Sequence, residues 1–229
     1  MPLPVLEAPK YSLIVPSTKK KIQYRPFLVK EEKILMIAQE AKDASQIESS
    51  IKDIIKACTF EKIDVDSLLT YDLEYILLKL RSKSVGETSK FSLSCKECEV
   101  KNEIVINLEE IGIEFPETVP DNKVKLTKDV GITLSAVSIK RMGNIDQTDI
   151  NSLLSLVIET IYDEENVYSV ENVSKDELTT FIDSFTHKNL EEIQNFIQNQ
   201  PTLKHTVNFK CSECGHENSY TLEGIQSFF

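Results

Sequence analysis

Residues 91–111, FSLSCKECEVKNEIVINLEEI, and residues 207–225, VNFKCSECGHENSYTLEGI, carry one pattern twice. Each copy is a strand-like run, a Cys-x-x-Cys, a polar stretch holding Asn102 or Asn218, a second strand-like run, and Leu-Glu-x-Ile. A two-residue gap lets a tight turn aim both sulfurs at one point. Two such turns face to face supply the tetrahedral thiolate shell of a structural zinc ion. Cys95, Cys98, Cys211 and Cys214 are therefore expected to bind one Zn2+ in a zinc-ribbon-like site. The second copy, with Gly215 after its last thiol, is the usual knuckle; the first has Glu99 at that place. The spacer from residue 99 to 210 is far longer than in ordinary zinc ribbons. Closure entropy grows only logarithmically with loop length, so a structured insert makes it tolerable.

Two other readings of the thiols carry less. Four metal-free cysteines would leave the repeated flanks unexplained. A redox pair needs a stabilised thiolate, and neither motif opens a helix. Four thiolates also leave no open position for a catalytic water, so the metal is read as structural. His216 reads as an exposed turn residue, His187 as a helix start, His205 as a strand lead, and Cys58 as a small core residue.

Outward from the cysteines the pattern alternates between strand and helix. Tyr11–Val15 and Lys21–Tyr24 read as a hairpin turning at Pro16, Ser17 and Thr18. A helix follows Pro26, with Ile34, Ile37, Ala38 and Ala41 as its apolar stripe and Glu31, Glu32 and Lys33 at a solvated start. Further helices are expected over 45–58 (Ile47, Ile51, Ile54, Ile55) and 70–82 (Leu73, Ile76, Leu77, Leu80), the latter closed by Gly86. Beyond the first Cys-x-x-Cys, 123–128 and 132–139 read as a second hairpin, and 149–162 as a helix. Ser174 and Glu177 form a capping box opening a helix to Ser184. A last helix over 188–199 is stopped by Pro201, and strand returns at 206–210. The fold class is α+β: two helix clusters with β-hairpins. Its expected domains are 1–88 (hairpin and helical block), 89–122 with 204–229 (the paired cysteine hairpins), and 123–203 (an inserted hairpin and helical block).

The chain has 229 residues, 41% of them hydrophobic, with 37 acidic residues against 26 basic and a net charge of −11. An acidic balance argues against phosphate-backbone binding, which needs clustered cations. The run Lys19-Lys20-Lys21 is too small for a nucleic-acid site and reads as an exposed turn. The start lacks a secretory pattern and no apolar run approaches the ~20 residues of a membrane span. A reducing cytosol is expected, which favours metal over disulfide. With only six glycines, the chain carries no Gly-rich phosphate loop, nucleophile elbow or His-Glu-x-x-His. No catalytic residue, small-molecule substrate or cofactor-binding residue is assigned. The arm 1–9 and the terminal Phe228-Phe229 are candidates for docking into neighbours, or frayed ends.

The stretches KKIQYRPFLVKEEKILMIAQE (20–40) and YDLEYILLKLRSKSVGE (71–87), with the strand entering Cys95, resemble the baseplate hub protein family of T-even-like contractile-tailed bacteriophages. The resemblance implies a hub or hub-assembly subunit, in the host cytoplasm during assembly and in the virion tail, with other baseplate or tail proteins as partners. Family members are not known as enzymes. A zinc-ribbon nucleic-acid or transcription adaptor is the alternative, and a thiol-disulfide enzyme the third reading.

Overall fold

The computed structural model describes residues 6–41, 44–118, 120–142 and 150–228. The chain forms two compact units, residues 1–114 with 202–229, and residues 115–201. Each is a mixture of helix and sheet.

The first unit opens with the hairpin β1 (Tyr11–Ile14) and β2 (Lys21–Tyr24), paired antiparallel with Leu13 opposite Ile22. Helices α1 (Val29–Ala41), α2 (Ala44–Cys58) and α3 (Thr70–Ser84) follow. Ile54, Ile55 and Cys58 are buried as the helical period requires. Helix α3 is buried on more than the expected stripe: Tyr71, Ile76, Leu78 and Leu80 are all inside, while Leu73 and Leu77 are half-buried. Its N-terminus is tied to the first hairpin by Asp72, fully buried, which accepts from Ser17 N at 2.9 Å and from the Ser17 hydroxyl.

Helix α1 departs from its sequence reading in two ways. Ile34 and Ile37 are exposed, and the side chains of Ala38 and Ala41 lie outside the described residues. Glu31, expected in solvent, is 3% exposed. It pairs with Arg25 at 3.0 Å and accepts from Leu28 N at 2.8 Å, while Arg25 N donates to Cys58 O at 2.9 Å. A carboxylate three residues into the turn can reach back to an unsatisfied helix N–H, and that reach draws it inward. Burial alone would push its carboxyl up; the Arg25 bond and the Leu28 N–H outweigh that and hold it below its ordinary 4.5. Glu31→Gln is expected to cost about 2–3 kcal/mol at pH 7, because Arg25 keeps its burial and loses its counter-ion. A carboxyl held low stabilises above its unfolded value and loses that contribution as pH falls through the folded one. The difference between parent and variant in urea titrations should therefore shrink below about pH 4.5.

Strands β3 (Thr88–Ser94) and β4 (Lys101–Asn107) form the first cysteine hairpin, and the short β5 (Gly112–Glu114) follows. The second unit then begins. Strands β6 (Lys123–Lys125) and β7 (Gly131–Leu134) pair as expected, but β7 ends at Leu134 and Ile139 opens the short helix α4 (Ile139–Met142). The expected helix over 149–162 is half strand. Residue 149 lies outside the described residues, α5 runs Ile150–Val157, and β8 (Ile158–Tyr162) pairs with β7. Ile-Glu-Thr-Ile-Tyr is a β-branched alternating run that fits a sheet better than a helix. The direct switch leaves backbone carbonyls to satisfy. Arg141 takes Leu156 O and Ile158 O at 3.2 and 3.3 Å, and Ser135 N takes Val157 O at 2.8 Å.

Strand β9 (Val167–Ser169) completes a sheet of order β6-β7-β8-β9, covered by α6 (Lys175–Asp183) and α7 (His187–Gln198). The capping box at Ser174 and Glu177 is present, with Ser174 N donating to Glu177 at 3.2 Å. Val124, Ile132, Leu134, Ile158, Ile182, Ile193 and Phe196 share the core of this unit. The chain then rejoins the first unit through β10 (Thr202–Lys210) and β11 (Glu217–Glu223). Strand β10 starts before the expected residue 206, because Thr202–Lys204 pair with β5.

Candidate metal centre

Both cysteine turns sit at the tips of hairpins with the same register. In the first, Ser94 faces Lys101 at the last pair before Cys95; in the second, Lys210 faces Glu217 before Cys211. Each turn closes in the same way. Cys95 N donates to Val100 O at 2.9 Å and Glu99 N to Cys95 O at 3.0 Å; Cys211 N donates to His216 O at 2.8 Å and Gly215 N to Cys211 O at 3.1 Å. Glu99 and Gly215 both adopt a left-handed backbone, φ 60° and 73°. A side chain there costs about 1–2 kcal/mol. A Cβ on Gly215 would meet only Lys210 Cε, at 3.5 Å, so that cost is conformational. Gly215→Ala should lower stability by about 1 kcal/mol and Glu99→Gly should leave it unchanged or raise it slightly, read as opposite shifts of melting temperature.

The four Sγ atoms lie within 4.8 Å of one another. Cys95 and Cys214, from opposite hairpins, are 3.6 Å apart, and so are Cys98 and Cys211. Thiolates about 2.3 Å from a tetrahedral ion stand about 3.8 Å apart, so the cluster has the dimensions of a four-thiolate shell. Cys95 and Cys211 are buried, Cys98 half-buried and Cys214 exposed. His216 is exposed and joins the turn through its backbone, His187 lies on α7 beside Glu191, and His205 is in β10 opposite Leu222. None of the three belongs to the cluster.

The two halves are locked by an exchange of asparagines that reasoning from the sequence did not assign. Asn218 donates to Cys95 Sγ at 3.5 Å and to His216 O at 3.1 Å, and its Oδ1 accepts from Lys96 N at 2.9 Å. Asn102 donates to Cys211 Sγ at 3.7 Å and to Val100 O at 2.9 Å, and its Oδ1 accepts from Ser212 N at 2.9 Å. Each asparagine therefore braces its own turn and reaches into the other. Both are buried. The readable signal was their identical place, seven residues after the first cysteine of each copy. The Tyr220 hydroxyl donates to Ser94 O across the same gap, and Lys96 Nζ lies 4.8 Å from the Tyr220 ring centre.

The N–H groups and neighbouring sulfurs around the four thiols act on them unequally. Burial raises Cys95, but N–H groups of Cys98, Asn218 and Glu97 outweigh it and bring the thiol down to about 6. Cys211 is lowered by the N–H groups of Cys214 and Glu213. At Cys214 the His216 N–H acts downward, yet the contact with Cys98, partial desolvation of the sulfur and Cys95 push the thiol up to about 12. At Cys98 the Val100 N–H and Cys214 act downward, but desolvation and sharing with Cys211 and Cys95 leave the thiol raised. N–H groups aimed at sulfur favour thiolate, the form a metal takes.

Below the cluster the hairpins share a core with α3: Leu78, Ile106, Leu108, Ile111, Leu203, Val207 and Phe228 are buried together. Phe228 is fully buried in the closing 3-10 turn Ile225–Phe228. This corrects its reading as a docking or frayed end; Phe229 and residues 1–5 of the arm lie outside the described residues. Helix α3 grips the two copies with opposite charges. Lys79 Nζ donates to Glu109 O at 2.8 Å, near the end of the first copy, and Glu74 accepts from Ile225 N at 3.2 Å, at the end of the second.

A repeated hairpin braced across a four-thiol cluster, on an α+β scaffold, defines a protein organised by a closed cysteine centre. A family model described as T4 bacteriophage base plate protein matches residues 8–229, and the chain belongs to that family. A curated relative, the baseplate hub assembly protein gp26 of Enterobacteria phage T4, is 29% identical over 223 residues, 96% of this chain and 98% of the relative. No solved structure matches the chain. Among the described residues no helix is long and apolar enough to cross a membrane.

Proposed function

We propose that this chain is a non-enzymatic baseplate hub subunit or hub-assembly factor that acts through protein–protein contacts and is stabilised by one structural Zn2+ on Cys95, Cys98, Cys211 and Cys214. The observation that carries the role is similarity along nearly the whole length of a hub assembly protein. Support for the metal comes from the donor set: four sulfurs within 4.8 Å, with no carboxylate or imidazole among them. Such a set leaves no position for a reacting water. On this reading the chain works in the host cytoplasm while tails are built, and in the virion if it is retained. Its organisation is a helical block over 1–88, paired zinc-ribbon hairpins over 89–122 and 204–229, and an insert over 123–203. The adaptor reading is disfavoured at the knuckles, where Lys96 donates to Ser219 O at 2.6 Å and Lys90 pairs with Glu103 at 3.2 Å.

The test is a deletion of the gene in its phage. Loss of complete baseplates by electron microscopy, restored by the gene in trans, is the expected result. Normal tails from the deleted phage would overturn the role. Mass spectrometry of purified virions then decides whether the chain stays in the particle.

A further inference from the structure

Strand β2 is an open edge beside a basic groove. Among the described residues β2 pairs with β1 alone. Val15 N donates to Lys20 O at 2.9 Å, and the alternation of antiparallel pairs then turns the backbone groups of Ile22 and Tyr24 toward β1. The N–H and C=O groups of Lys21 and Gln23 point the other way and meet no partner among the described residues. Lys21 and Gln23 also line a groove of about 500 Å³ between β2 and the segment 62–68. Val15, Ile22 and Leu68 give it an apolar floor, and Lys20, Lys21 and Lys62 stand around it. None of these lysines is ion-paired among the described residues. The single carboxylate of the wall, Asp64, is turned to its own chain and accepts from Asp66 N at 3.2 Å. A local cluster of positive charge on a chain of net charge −11 is a strong contrast.

We propose that an extended acidic segment of another protein chain docks here, adding as a third strand along β2. Its main chain would pair with Lys21 and Gln23. Its alternate apolar side chains would enter over Ile22 and Leu68, and its carboxylates would meet Lys20, Lys21 and Lys62. Edge addition draws affinity from main-chain bonds and specificity from alternate side chains, which matches an edge with a floor and a charged rim. Lysines on an edge strand also deter self-pairing, so the test must separate recognition from protection. The inference does not depend on the metal.

The probe is a fluorescein-labelled heptapeptide alternating Glu and Val, titrated into the full chain at low salt and followed by anisotropy. Saturable binding is expected, weakened about tenfold or more in the exposed triple variant Lys20→Ala, Lys21→Ala, Lys62→Ala. Methylation of the peptide's main-chain nitrogens should abolish it, and the amides of Lys21 and Gln23 should gain exchange protection when the parent peptide binds. Absence of binding overturns the proposal, as does binding that survives the triple substitution or the methylation. Binding of oligothymidylate in place of the peptide would mark a nucleic-acid site instead. Self-association of the triple variant without peptide binding would show that the lysines only guard the edge.

Discussion

Cys211→Ser is expected to abolish stoichiometric metal binding and to melt the unit formed by residues 1–114 and 202–229. The sulfur of Cys211 is buried, 3.6 Å from Cys98 and 3.7 Å from Asn102 Nδ2, so a serine hydroxyl there leaves the shell incomplete and the asparagine without its acceptor. A two-stranded hairpin is marginal in water, and here two hairpins meet across segments far apart in the chain. Structural zinc contributes on the order of 10 kcal/mol to small metal-dependent domains. A loss of that size is comparable to the whole margin, about 5–15 kcal/mol, of an ordinary domain. Elemental mass spectrometry should give about one zinc per parent chain and far less for the variant, with a parallel fall in melting temperature. Cys58→Ala is the control: Cys58 is buried but outside the cluster, so it should lose some stability and keep its metal. A Cys211→Ser protein with parental metal content or parental melting would remove the metal from the account of this fold.

Phe228→Ala should destabilise the protein by about 3–5 kcal/mol, the cost of emptying a closed aromatic site. Phe228 is fully buried against the core that Leu78, Leu108 and Leu203 share beneath the cysteine cluster. At roughly 2–4 °C per kcal/mol for a chain of this size, the melting temperature should drop by about 10 °C. Metal content should stay near one per chain, because no ligand is touched. A variant that melts like the parent would return this end of the chain to the frayed or docking role that sequence alone suggested. The two variants thus separate the metal from the apolar core below it.

The elements best read from sequence were those specified by neighbours a few residues away. The two cysteine hairpins, the cap at Ser174 and Glu177, and the stripe of Ile54, Ile55 and Cys58 all follow from short-range periodicity and turn chemistry. The failures have a common origin. At 158–162 an apolar run satisfied helical and strand patterns alike, and the choice was made by β7 and β9 on either side. Strand β5 is three residues long and exists because β10 lies beside it.

Sequence by itself established that four cysteines come in two equivalent turns, that the chain mixes helix with hairpin, and which phage family it resembles. These rest on residue type and spacing, which a linear string displays directly. The repeat led to the expectation that the turns meet, and tertiary structure decided that Asn102 and Asn218 reach across them and that Glu31 and Phe228 lie inside. Each of those facts depends on a partner far away in the chain or on the closing of a core around it. Burial is a property of the assembled surroundings, so the residue that experiences it carries no local mark of it.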